Sequence, residues 1–191
     1  MRRHIFLDAD GVVSAFLERA MHVLNMEYDK SYQPSEYASL HGKFGINDLY
    51  GISLKDFWRV IEEDSFFWVS LKPTPYGKKL YYWLSSIAPV TIVTCPSEDP
   101  TCAEQKLVWL KDHLDINPSQ VVLCCKKHLL AGNGILIDDY HKNTEEFTAA
   151  GGEAILVPSE WNTADVSFKM VTKIIQANPT IKSWTDRSSF V

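Results

Sequence analysis

The sequence predicts an α/β fold, a parallel sheet with helices on both faces, carrying a small helical cap inserted directly after the first strand. Two observations predict the sheet and a third predicts the cap. Short apolar runs bounded by turn residues recur at 5–8, 90–94, 121–124, 135–137 and 154–157, the length and composition of buried strands. Between the later runs lie patterns of helical period at 76–87, 103–114 and 144–150. Strands alternating with helices imply parallel strands joined by right-handed crossovers. The rhythm breaks once: from about residue 14 to 71 the pattern is helical and aromatic, with no convincing strand.

Taken in order, the core is expected at 1–13 and 73–191 and the cap at 14–72. Within the cap, "SLKDFWRVIEEDSFFW" is amphipathic, and Ser53 stands where it can cap the first turn. The core resumes near Pro73. Towards the end, "TADVSFKMVTKIIQANP" has apolar residues at helical spacing up to Pro179, and "TIKSWTDRSSFV" beyond it is expected to be irregular. No internal repeat or low-complexity tract is present. No GxGxxG follows a strand, which sets aside a dinucleotide-binding dehydrogenase, and "GNGI" at Gly132 reads as a turn.

With 191 residues the chain fits one domain, or one domain with an insertion, and is long enough to bury a substantial core. Hydrophobic residues at 46% and charged residues at 23% are those of a soluble globular protein. A net charge of −5 gives no general attraction to nucleic acid or anionic membrane, so no stable nucleic-acid partner is expected. No apolar run approaches the roughly 20 residues that span a bilayer, and "MRRHIFLDADG" reaches its aspartates too soon for a signal peptide. A cytoplasmic protein is expected, with homodimerisation left open. Cys95, Cys102, Cys124 and Cys125 have no CxxC spacing, and adjacent Cys124 and Cys125 on a strand point to opposite faces. All four are expected to be reduced thiols.

In an open α/β sheet, ligands bind at the carboxyl ends of the strands. Asp8 and Asp10 fall there in "HIFLDADGVV", Thr94 in "VTIVTCP", and Asp138 and Asp139 in "GILIDDYHKN". Singly, each has a structural reading, as a helix-capping aspartate or a strand threonine. Four acids and a hydroxyl on one sheet edge point instead to chemistry. Two carboxylates one residue apart repel each other unless positive charge lies between them, and such hard oxygen donors suit Mg²⁺. Magnesium-dependent phosphoryl transfer uses this set. Asp8 is placed to attack phosphorus, Asp10 to act as acid and base, and Gly11 to let the backbone turn tightly. Thr94 supplies a hydroxyl for the phosphoryl oxygens. Lys106 and Lys127 are both candidates for the cation, and Lys106 is favoured because its helix starts beside Thr94.

These motifs resemble those of the haloacid dehalogenase superfamily of phosphatases, which has a Rossmann-like core and a cap. Within it, "FLDADGVVSAF", "TCPSED", "KLVWLKDHL", "VVLCCKKHLL" and "ILIDDYHKN" resemble the 5′(3′)-deoxyribonucleotidases and their bacterial and phage relatives in order and spacing, over residues 3–157. The resemblance implies Asp8 as nucleophile and Asp10 as acid/base, with Thr94 and Lys106 as phosphate ligands. It implies Mg²⁺ held by Asp8, the backbone carbonyl of Asp10, and the Asp138/Asp139 pair. Phe16 matches an aromatic at the start of the cap that stacks on the base, and Lys127 a basic residue facing substrate. The sequence departs from the mammalian members at Cys95, where they have Ser, at Glu98, where they have a basic residue, and at Cys125, where an arginine falls.

The cap is expected to set specificity, since the core motifs meet only phosphate. Its aromatics Phe44, Tyr50, Phe57, Trp58, Phe66, Phe67 and Trp68 could stack a base, most being expected as cap core, while Phe44, with His41 in "LHGKFG", is a substrate-contact candidate in a loop. The expected substrate is a small nucleotide or another phosphomonoester. Alternatives are a sugar phosphate or nucleic-acid end as substrate, or a non-catalytic phospho-ligand or receiver-like protein. A receiver is disfavoured by the DxD on the first strand and by the inserted cap.

Overall fold

The structure, a computed structural model, describes residues 4–37, 45–159, 162 and 167–187. His41 and Phe44 lie outside the described residues. Five parallel strands, β1 (Ile5–Leu7), β2 (Val90–Thr94), β3 (Val121–Leu123), β4 (Ile135–Asp138) and β5 (Glu153–Leu156), form one sheet in the order β3-β2-β1-β4-β5. Ile5 and Leu7 enter the main core, whereas Phe6 joins Val93, Leu136 and Phe147 in a second cluster. A strand covered on both faces reads as an unbroken apolar run, which is why these segments were conspicuous in the sequence.

Register brings the functional ends level. Ile5 pairs with Val90 and Ile135, and Leu7 with Ile92 and Ile137. The chain proceeds from β1 to β2 on one side and to β4 on the other, so a crevice opens at the carboxyl end of β1, the topological switch point.

After β1 the chain forms α1 (Phe16–Tyr28), α2 (Pro34–Tyr37), α3 (Ile46–Tyr50) and α4 (Leu54–Glu63). Both ends of this insertion are stitched together. The Ala15 N–H donates to the Lys72 carbonyl at 2.7 Å and the Thr74 N–H to the Val13 carbonyl at 2.9 Å. Gly77 then packs so closely that a Cβ there would lie 2.7 Å from Val13 backbone atoms. Ser53 caps α4 as expected, its hydroxyl accepting from the Asp56 N–H at 3.1 Å. The helix stops at Glu63 instead of continuing through Trp68. Asp64 diverts it by accepting from the Phe66 N–H at 3.1 Å and by pairing with Arg19, the local competition that acidic side chains offer a helix.

Helices α5 (Gly77–Ile87), α6 (Cys102–Leu114), α7 (His141–Ala149) and α8 (Phe168–Ala177) complete the core. Over its described residues, the tail expected to be irregular is instead a further helix, α9 (Pro179–Arg187). Asn178 accepts from the N–H groups of Thr180 and Ile181, both at 3.0 Å, Pro179 stands at the tolerated first position, and Ile181 and Trp184 are buried.

The expectation of four reduced thiols is also corrected. Cys95 and Cys125 form a disulfide with Cα atoms 4.4 Å apart, while Cys102 and Cys124 are free. The bond is possible because β2 and β3 are neighbours and each cysteine lies just past its strand end.

Candidate active site

Asp8 follows β1 directly and is buried, with its N–H donating to the Ile137 carbonyl at 2.9 Å. Its Oδ1 accepts from the Ala9 N–H at 2.8 Å and lies 2.6 Å from Lys127 Nζ. The chain then turns back: the N–H groups of Val13 and Ser14 reach the Ala9 carbonyl at 2.8 and 2.9 Å. Gly11 makes the turn possible with φ 79°, a left-handed conformation that costs glycine little. The turn presents Asp10 to the opening, where Ser14 Oγ donates to Oδ1 at 3.1 Å and Thr94 Oγ1 to Oδ2 at 3.4 Å.

Lys106, on the second turn of α6, comes to the same point. Its Nζ pairs with Asp10, donates to Thr94 Oγ1 at 3.0 Å and to the Cys95 carbonyl at 2.9 Å, and lies 4.4 Å from the ring centroid of Trp68. A buried ammonium thus has a carboxylate, a hydroxyl, a carbonyl and an aromatic face around it. Thr94, Asp10 and Lys106 meet as the sequence expects.

Lys127 takes a different position. It begins a 3₁₀ turn, Lys127–Leu130, and inserts its Nζ between Asp8 and Asp138, 2.7 Å from Asp138 Oδ2. Asp138 also accepts from Asn143 Nδ2 at 3.0 and 3.2 Å and from the Tyr140 N–H at 2.9 Å. Asp139 is fully buried beside it, its carbonyl accepting from Asn162 Nδ2 at 2.7 Å. Carboxylate oxygens of Asp8, Asp138 and Asp139 all lie within 4.8 Å of one another. Asp10 stands outside this side-chain cluster, next to Lys106.

Burial, followed by repulsion from Asp138, raises the Asp8 carboxyl to about 7 against the pull of Lys127. Asp139 is raised well above the usual carboxylate range by burial and by Asp8 and Asp138. Burial disfavours the Lys127 ammonium, but Asp8 and Asp138 outweigh it and raise it. Three carboxylates therefore share one ammonium, and the donors are all hard oxygens, a set that fits a divalent cation.

In the unfolded chain Asp8 is ionised throughout pH 6–8, whereas the folded chain still binds a proton at pH 6, so stability falls as pH rises through about 7. One proton released over that interval is about 1.4 kcal/mol. In EDTA, Tm is expected to drop by roughly 3–6 °C from pH 6 to pH 8. Lys127 remains charged across this window and adds no slope, while the Asp139 carboxyl, also raised, acts with the same sign as Asp8. A Tm that rises with pH would contradict the cluster's electrostatics.

Above the carboxylates, a cleft of about 1030 Å³ opens between core and cap. Asp8, Asp10, Lys127 and Asp139 line its floor, Phe16, Trp58 and Trp68 its apolar side, and Lys55, Arg59 and Glu62 from α4 its polar side. Phe16 stacks on Trp68 at 5.7 Å with 25° between the rings. Of the cap aromatics, Phe57 and Phe67 are fully buried as expected and Phe66 is exposed. Cys95 and Cys125 both reach the cleft. Sequence reasoning missed Asn143, Trp68 and Ser14. Asn143 had a usable signal, an amide in the first turn of the helix that follows the acidic pair, whereas Trp68 was indistinguishable from cap core.

The profile of the family described as "5' nucleotidase, deoxy (Pyrimidine), cytosolic type C protein" matches residues 2–181. A "Putative 5'(3')-deoxyribonucleotidase" of Staphylococcus aureus MSSA476 is 26% identical over 171 residues, 89% of this chain and 90% of that protein. Its namesake in Staphylococcus epidermidis RP62A is 23% identical over 172 residues, 90% of this chain and 91% of that protein. The fold is shared with a haloacid dehalogenase-like family hydrolase of Xanthomonas campestris, at TM-score 0.56 and 13% identity over 97% of this chain and 94% of that one. CbbY of Rhodobacter sphaeroides, solved with phosphate, gives TM-score 0.53 and 15% identity over 86% and 90% of the two chains. With the acidic, threonine and lysine motifs converging on one sheet edge beneath a helical cap, the chain belongs to the deoxy 5′-nucleotidase, cytosolic type C family, a phosphatase family, and it has the fold of haloacid dehalogenase-like hydrolases.

Proposed function

We propose that the protein is a Mg²⁺-dependent phosphomonoesterase that hydrolyses (deoxy)nucleoside monophosphates through an aspartyl-phosphate on Asp8. The observation that carries this reading is the division of labour between two neighbouring aspartates. Asp8 lies among the carboxylates, while Asp10 faces Thr94 and Lys106. An Asp8 oxygen attacks phosphorus and the ester P–O bond breaks, the leaving alkoxide taking a proton from the Asp10 carboxyl. Asp10, now a carboxylate, removes a proton from a water that attacks the phosphorus of the acyl phosphate, freeing phosphate and the Asp8 carboxylate. Thr94 and Lys106 hold phosphoryl oxygens through both steps.

Asp8, Asp138, Asp139 and the backbone carbonyl of Asp10 would hold Mg²⁺, which supplies charge neutralisation for the phosphoryl oxygens when bound. Lys127 opposes the rise of the Asp8 carboxyl, favouring its ionised, nucleophilic form, and lines the cleft on the substrate side of the cluster. Half-buried Trp58, with the cleft-lining edges of the buried Phe16 and Trp68 rings beside it, offers apolar ring surface for a base. Phe44 and Cys95 are further substrate contacts in this proposal. The family's description as cytosolic supports a cytoplasmic enzyme, and among the described residues no helix is long and apolar enough to cross a membrane.

Phosphate release from 5′- and 3′-(deoxy)nucleoside monophosphates, sugar phosphates and p-nitrophenyl phosphate, with Mg²⁺ or with EDTA, tests the reading. Mg²⁺-dependent turnover is expected to be fastest on one group of nucleotides. Turnover confined to sugar phosphates would keep the chemistry and replace the substrate. No turnover of any ester by folded protein would remove the enzymatic reading.

A further inference from the structure

The disulfide has an unusual position. Cys95 directly follows Thr94, and its carbonyl accepts from Lys106 Nζ at 2.9 Å. Cys125 lies two residues before Lys127, whose Nζ bridges Asp8 and Asp138. The bond therefore ties together the two segments that carry the site's lysines. Both cysteines are exposed and both line the cleft, so a soluble thiol can reach the sulfurs. By contrast Cys102 is fully buried, and burial raises its thiol.

We propose that Cys95–Cys125 is a thiol–disulfide exchange site whose oxidised form restrains the cleft and whose reduced form is the more active one. Exposed disulfides in intracellular proteins are the labile ones. Two consequences of the bond act on the site. It removes the Cys95 thiol as a hydrogen-bond donor one residue from Thr94, on the wall a phosphoryl group meets. It also fixes the spacing of the β2 and β3 ends while Lys106 is spent on Asp10 and Lys127 on Asp8. Opening needs a dithiol as co-reactant: one of its thiolates attacks a sulfur of the pair to give a mixed disulfide, and its second thiolate displaces the remaining cysteine. Two electrons and two protons pass to Cys95 and Cys125, and the reductant leaves as its own disulfide. A small disulfide, such as oxidised glutathione, runs the sequence in reverse.

The activity effect rests on the phosphatase reading, so the test begins with measurements independent of turnover. Native protein treated with a dithiol is expected to gain two mass units and two alkylatable thiols, at Cys95 and Cys125. Its Tm is expected to fall by roughly 10 °C on opening a link that spans 30 residues. Calorimetric binding of inorganic phosphate in Mg²⁺ is expected to be roughly 3- to 10-fold tighter after reduction, the effect of one regained hydrogen bond. The kcat/KM for p-nitrophenyl phosphate should rise by a similar factor, and Cys125→Ser should hold the reduced-state value in either redox buffer. The proposal is overturned if the thiols stay free at every glutathione ratio, if phosphate binds equally well in both states, or if the oxidised form binds it better. Absence of turnover in both states, with phosphate binding still responsive to redox state, would sink the phosphatase reading and leave the exchange site standing.

Discussion

Asp8→Asn is expected to abolish phosphate release, with kcat lowered by roughly 10⁴-fold or more, while the fold survives. An amide oxygen can still lie beside Lys127 and the neighbouring carboxylates, but it is too poor a nucleophile to form the acyl phosphate. Stability should barely suffer. The Asp8 carboxyl is raised to about 7 by burial and by Asp138, so neutralising it removes like-charge repulsion as well as the ionic attraction to Lys127. Tm is expected within about 3 °C of the parent protein, with less pH dependence in EDTA. Borohydride trapping during turnover separates a nucleophile from a mere metal ligand, since it reduces an acyl phosphate at residue 8 and leaves a free carboxylate untouched. Activity within tenfold of the parent, or a trapped residue elsewhere, would remove Asp8 from this role.

The features legible in the sequence are those that depend on local order. The central strands are buried on both faces, so "HIFLD", "VTIVT" and "ILIDD" stood out as apolar runs, and the polar residue ending each one marked the site directly. Whatever depended on which strands are neighbours stayed hidden. Cys95 and Cys125 are 30 positions apart and meet only because β2 adjoins β3. Lys127 lines the cleft, but nothing in "CCKKHLL" reveals that a 3₁₀ turn also folds its ammonium between Asp8 and Asp138. Trp68 was read as core, and at 2% exposure it is core; its second role beneath Lys106 needs α6 to pack against the cap stem. The last helix was missed for another reason. Its signals, Asn178 as cap and Pro179 at the first turn, are in the sequence, but a proline at the end of one helical pattern serves equally as its terminator and as the start of the next helix.

The two lysines should fail in different ways, and that difference tests the site's division of labour. Lys106→Met keeps an unbranched side chain against Trp68 while removing the charge that Thr94 and Asp10 share. The expected result is a fall in kcat/KM of roughly 10²- to 10³-fold with Mg²⁺ saturating, the cost of losing one preorganised donor to the phosphoryl oxygens. Lys127→Met instead strips the ammonium from Asp8 and Asp138, leaving carboxylates buried without their counter-charge. Breaking a buried ionic contact in this way costs about 3–5 kcal/mol. The loss should be largest at pH 8 in EDTA, shrink towards pH 6 as Asp8 takes up a proton, and shrink again when Mg²⁺ is added. Its loss of kcat/KM at saturating Mg²⁺ should accordingly be the smaller of the two. The opposite ranking would exchange their roles, because a lysine whose charge Mg²⁺ cannot replace must be the one that meets the phosphoryl group.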